Sequence, residues 1–171
     1  MHQFALWLAS TPPSVFIQEH NAWAIPAIQS VHIVGIALVM GSVLMIDLRI
    51  LGLAWTDQTL GQTTSRFGPW LTGSLWLLLV TGLLMVVGEP VRELVSFSFW
   101  LKMALVAVGT VVAVAFQRAL RREGRFEDTA SSGSIRMLAI VTFLVWVGVI
   151  FLGRLIAYDH VWGSWSPAAR L

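Results

Sequence analysis

The chain has 171 residues and a formal net charge of +2, with 57% of its residues hydrophobic and 12% charged. Soluble domains carry roughly 45 to 50% apolar and about 25% charged residues, so this composition excludes a water-soluble fold. Cysteine is absent, which excludes disulfides, zinc–thiolate centres, cysteine-held iron–sulfur clusters and c-type haem attachment.

The first residues, Met1 to Trp7, have no positive segment and no small-residue cleavage site, so they do not read as a removable signal peptide. After Thr11-Pro12-Pro13, residues 14–21 read as a short interfacial helix, with Val15, Phe16 and Ile17 towards lipid and Glu19 and His20 towards water.

Four apolar stretches follow, at about 24–48, 69–87, 98–118 and 137–158, each long enough to cross a bilayer. They use up most of the chain and predict one all-α domain, an integral membrane four-helix bundle. Trp23, Trp55, Trp162 and Trp165 flank the spans as interface anchors. Gly88-Glu89-Pro90 marks a turn after the second span. Arg49 and Arg66 fall in the first interspan loop, and Arg118, Arg121, Arg122, Arg125 and Arg136 at the third. The opposite side carries only Arg92 and Arg170, so the positive-inside rule places both termini outside. That bias also accounts for the basic balance without a nucleic-acid partner. The expected setting is the lipid bilayer of a bacterial inner, or cytoplasmic, membrane.

Charged groups within a span cost at least ~2.5 to 3.5 kcal/mol each near its centre, so those present need a reason. His32 lies roughly 9 to 14 Å from the outer end of the first span. Lys102 enters the third span, and Arg154 lies near the outer end of the fourth. All three fall in the outer half and could share a site. Lys102 and Arg154 are long enough to snorkel to the headgroups. The alternative is anionic company such as haem propionates, a lipid phosphate or Glu89. His32 is a candidate axial ligand of haem b, against the plainer role of a hydrogen bond to a neighbouring helix. Ile28, His32, Gly35, Val39 and Ser42 share one helical stripe. The small Gly35 and Ser42 would admit a flat ring, or another helix. Lys102, Gly109 and Ala113 form a second such stripe, and Arg154 shares a face with Val147, Ile150 and Phe151. His160 or Met103 could supply a second axial ligand, and copper on outer-face histidines is a further possibility. Asp47, beside Arg49 at the inner end of the first span, reads as a topological anchor.

Three stretches carry a resemblance: Ala24-Ile25-Pro26-Ala27-Ile28-Gln29-Ser30-Val31-His32-Ile33-Val34-Gly35, Asp47-Leu48-Arg49-Ile50-Leu51-Gly52, and Gly153-Arg154-Leu155-Ile156-Ala157-Tyr158. Over nearly its whole length the chain resembles uncharacterised four-helix bacterial membrane proteins. More distantly it resembles the multi-pass membrane protoporphyrinogen oxidases and copper-resistance D domains. Those oxidases have a His early in the first span and a Lys after a Trp in a later one, as His32 and Trp100-Lys102 stand here. The resemblance implies a haem- or porphyrin-associated site at His32 and Lys102. It departs where the oxidases have an aromatic–His pair further along the Lys-bearing helix, since Phe116-Gln117 stands there instead; the site carries over and the reaction does not.

The expected function is that of a b-type-haem protein passing electrons between a quinone, or a periplasmic partner protein, and its haem. In this role His32 is the ligand, and Lys102 or Arg154 lies near the propionates. The competing expectation is a non-redox subunit in transport or complex assembly, with intramembrane charges locking helices together. An oligomer, or membership of a larger complex, suits either.

Overall fold

The computed structural model describes residues 2–123, 133–156 and 158. Among them are seven helices: α1 (His2–Ala9), α2 (Pro12–Glu19), α3 (Asn21–Ile50), α4 (Leu60–Gly88), α5 (Pro90–Val95), α6 (Phe97–Glu123) and α7 (Gly133–Leu155). Four of them, α3, α4, α6 and α7, contain stretches long and apolar enough to cross a membrane, and at most 33% of any such stretch is buried within the protein. Apolar side chains such as Ile33, Val111 and Phe151 point outwards. Only lipid can cover that much outward apolar surface. The chain is an all-α, multi-pass membrane bundle.

Local signals set the helix ends. At α4, Thr59 Oγ1 accepts from the Gln62 backbone N–H and Gln62 Oε1 accepts from the Thr59 N–H, at 3.2 and 2.9 Å. This reciprocal cap satisfies two otherwise orphaned donors. The cap starts α4 at Leu60, well before the boundary expected at Pro69, which lies inside the helix. Glu89 ends α4 and Pro90 opens α5, where its missing N–H costs nothing. Ser96 begins α6, its Oγ accepting from the Phe99 N–H at 3.1 Å.

Packing is pairwise. The longest contacts are α3 on α4 and α6 on α7, with α3 touching α7 and closing one side of the bundle; α4 and α6 meet only sparsely. Val39, Val43, Leu71, Ala113, Trp146 and Val149 form the central core. The two N-terminal helices are more than interfacial, because α1 packs on α5 and α2 on α4. Ile17, expected to face lipid, is instead buried with Ala24 and Ile25. A β-carbon at Gly88 would lie 2.7 Å from Ile25 Cδ1 and 2.9 Å from Ile17 Cγ2, so the missing side chain is what lets α2 and α3 close on α4.

At the inner end, Asp47 pairs with no cation among the described residues. Arg49 donates to the Gln58 carbonyl, and Arg66 lies over the Phe67 ring. Asp47 Oδ2 is buried without a hydrogen-bond partner, beside a cavity of about 40 Å³ lined mainly by apolar side chains. A buried polar group lacking a partner costs roughly 1 to 3 kcal/mol. Asp47→Leu is therefore expected to raise thermal stability in detergent by an amount in that range, read as the unfolding midpoint. A lower midpoint would show that the carboxyl has a stabilising partner.

Candidate functional site

The wide separation of the two helix pairs leaves a cavity of about 470 Å³ among α3, α4, α6 and α7, with α5 at one end. Specific ligand sites span roughly 300 to 1,000 Å³ and are mostly apolar with a few polar groups. This wall fits that description: Met40, Met85, Met103, Trp76, Phe99 and Trp146 provide soft apolar surface, and His32, Lys102 and Glu93 provide ionisable groups. Trp76, Leu79 and Leu83 line the cavity although they are 65%, 50% and 58% exposed. The space is therefore open along α4 towards the lipid-facing surface, where α4 and α6 scarcely touch.

His32 is fixed by a bond across helices. Its Nδ1 lies 2.7 Å from Thr81 Oγ1 on α4, and Thr81 Oγ1 lies 2.7 Å from the Leu77 carbonyl oxygen. A carbonyl only accepts, so the hydroxyl proton of Thr81 points to Leu77 and its oxygen must accept from His32. Nδ1 therefore carries the ring proton. Nε2 keeps its lone pair and has no bond to any described residue, while the ring forms part of the cavity wall. Gly82 gives it room, since a β-carbon there would come within 3.7 Å of His32 Cε1.

Lys102 is the charged side chain that acts most directly on His32. Its ammonium rests against α7, where a β-carbon at Gly153 would lie 3.5 Å from Nζ. Beyond it stands Glu93 on α5, 5% exposed, which interacts electrostatically with Lys102 without an ion pair within 4.0 Å among the described residues. Burial pushes the Glu93 carboxyl above its ordinary range, Lys102 and then Arg92 pull it down, and Glu89 pushes it up. Neighbouring Arg92 and Glu89 pair with each other at 2.6 Å on the exposed side. His32, Lys102 and Glu93 thus all line one cavity, with Lys102 interacting electrostatically with each of the other two.

Of the residues singled out in the sequence, His32 and Lys102 come together. Arg154 does not join them: it lies on an exposed face, with its Nη2 3.3 Å from the Tyr158 hydroxyl and its guanidinium 5.4 Å from that ring. This is the snorkelling alternative. Gly35 serves close helix packing, its absent β-carbon leaving space for Leu78 Cδ2, which would otherwise be at 2.8 Å. Of the two small residues offered for a flat ring, Gly35 thus admits a neighbouring helix. His160, Trp162 and Trp165 lie outside the described residues. Three further residues of the site carry little signal in the sequence. Glu93 lies between spans, and Thr81 is one hydroxyl in an apolar run. Trp146, whose buried Nε1 has no partner among the described residues, lies in an apolar run as well.

Among the described residues no group of three or more His, Cys, Asp or Glu could hold a metal ion. The copper alternative therefore finds no cluster there. That result does not bear on haem iron, which takes most of its ligands from the porphyrin.

A family described as of unknown function, DUF6644, matches residues 21–159. The chain belongs to this family. The match takes in α3 to α7, with every wall of the cavity, and leaves α1 and α2 outside it. No curated protein and no solved structure matches.

Proposed function

We propose that this membrane protein binds haem b in the outer-half cavity and passes electrons between it and a quinone or a periplasmic protein, in a bacterial inner membrane. The observation that carries the reading is the commitment of His32 Nδ1 to Thr81. A ligating histidine characteristically gives its second ring N–H to an acceptor that fixes tautomer and orientation, and here the acceptor is in place and Nε2 is left for iron. The residues present fit the group. Nε2 of His32 would hold the iron, with Met103 in the same wall or His160 as a candidate second ligand, and Lys102 would balance the negative charge of the group. When bound, haem would supply one-electron redox chemistry. The chain's own part is to hold the ring edge, exclude water with the Met, Trp and Phe wall, and balance charge with Lys102 and Glu93.

The His32–Thr81 bond also favours the second reading, a non-redox subunit of a transport or assembly complex, because an interhelical bond of this kind stabilises a bundle by about 0.6 to 2 kcal/mol. Thr81→Val separates the two. Under the haem reading it weakens retention of the cofactor by roughly 10- to 100-fold, measured as Soret absorbance per protein through detergent exchange. Under the structural reading it lowers thermal stability alone.

The charge bias gives the orientation a direct check. A reporter that works only outside the cytoplasm, fused after Leu171, is expected to be active, and a cytoplasm-only reporter at the same point silent. The reverse pattern would invert the bundle.

A further inference from the structure

One carboxyl lines the cavity from α5. Glu93 is 5% exposed, lines the cavity and forms no ion pair within 4.0 Å among the described residues. A buried carboxyl of this kind is costly unless something compensates it. Its surroundings are specific. Lys102 of α6 interacts electrostatically with it and with His32, as do Arg92 and Glu89 with it from the exposed start of α5. Helices α1 and α4 also pack on α5; α1 carries His2 as its sole titratable side chain, and α4 carries only Arg66, near its opposite end. Glu93 thus lies on the same short helix as the exposed Arg92–Glu89 pair and lines the cavity.

We infer that Glu93 is the proton acceptor of this cavity, taking up one proton from the outer aqueous phase when one electron arrives at the group held by His32. This rests on the haem reading. The step balances. One electron enters from a one-electron donor, one proton adds to the Glu93 carboxylate, and the charge of the buried region is unchanged; transfer to a one-electron acceptor reverses both.

The physical reason is the membrane. An uncompensated charge near the centre of a span costs at least ~2.5 to 3.5 kcal/mol, so an added electron raises the proton affinity of the nearest buried carboxyl. Burial favours the neutral form of Glu93 and Lys102 opposes it by favouring the ionised form, so a change of charge in the cavity shifts the balance between the two. Because such coupling is reciprocal, protonation of Glu93 makes reduction easier.

The test is a spectroelectrochemical titration of the purified haem-containing protein at a series of pH values. In the wild type the midpoint potential is expected to fall as pH rises, approaching about 59 mV for each tenfold change in proton concentration between the two proton affinities of Glu93. In the haem that each variant retains, Glu93→Gln should flatten that slope, Glu93→Asp should keep a slope displaced in pH, and Glu89→Gln should keep a slope as steep as that of the wild type. Reduced-minus-oxidised infrared spectra should show the carbonyl stretch of a protonated carboxyl in the wild type and not in Glu93→Gln. A haem-bearing wild type whose potential ignores pH, or whose slope survives in Glu93→Gln or is lost in Glu89→Gln, overturns the inference and leaves the haem reading standing. A colourless wild type overturns both. If Glu93→Gln does not fold, an unshifted slope in Glu93→Asp is the contrary result.

Discussion

Replacing His32 by alanine is expected to leave a membrane-inserted protein without its haem absorption. The substitution makes α3 more apolar, so insertion is not impaired. It breaks the bond from Nδ1 to Thr81, but Thr81 Oγ1 still donates to the Leu77 carbonyl at 2.7 Å, and no polar atom of α4 is orphaned. The structural loss is then about 1 kcal/mol, too small to unfold the bundle, whereas the substitution takes away the proposed iron ligand, the only histidine among the described residues of the cavity wall. Absorbance at the Soret maximum per mole of protein should fall to background, while the thermal midpoint moves by a few degrees. The companion variants His160→Ala and Met103→Leu identify the opposite ligand, since whichever supplies it should shift the spectrum when replaced. An unchanged Soret band in His32→Ala would falsify the ligand assignment whatever those two variants do.

Gly88→Val is expected to have the largest effect on stability. Any β-carbon there meets Ile17 Cγ2 at 2.9 Å and Ile25 Cδ1 at 2.7 Å. The γ-methyl of Ile17 belongs to a side chain stiff at χ1, so α2 must shift as a whole. Overpacking of this kind costs roughly 1 to 3 kcal/mol. The loss should appear as a lower unfolding midpoint and as easier proteolysis between α1 and α3. Gly41→Val is the control, because nothing lies within 4 Å of a β-carbon at Gly41. Equal loss in both variants would mean that helix propensity, not the α2–α4 contact, sets the cost.

The four spans were legible because a bilayer demands long apolar runs and little else. Their ends were not. The start of α4 was hidden by Thr63, Thr64, Ser65 and Arg66, which read as loop, and by Pro69, which reads as a boundary; the deciding signal was the Thr59–Gln62 cap. Helices α1 and α5 carry no span-length apolar run, and their order comes from packing on each other. In the site, His32 and Lys102 stood out because ionisable groups in spans are expensive. Arg154 stood out equally, and only tertiary structure separates a cation lining a cavity from one turned to Tyr158 at the surface. Glu93 lies between spans, where a glutamate draws no notice; its burial follows from α5 folding back under α1. Gly35 shows the limit of small-residue stripes, since close approach is visible in sequence and the identity of what approaches is not.

Whether the cavity beside His32 holds haem is read most directly from the haem content of the purified wild-type protein. The protein would be produced in haem-replete cells, and haem and protein quantified on the same sample alongside a reduced-minus-oxidised absorption spectrum. The expected result is about one haem b per chain, with a Soret band that shifts on reduction, as a His-ligated b-type centre requires. A colourless, folded and monodisperse preparation would contradict the account and leave His32 and Thr81 as a lock between α3 and α4.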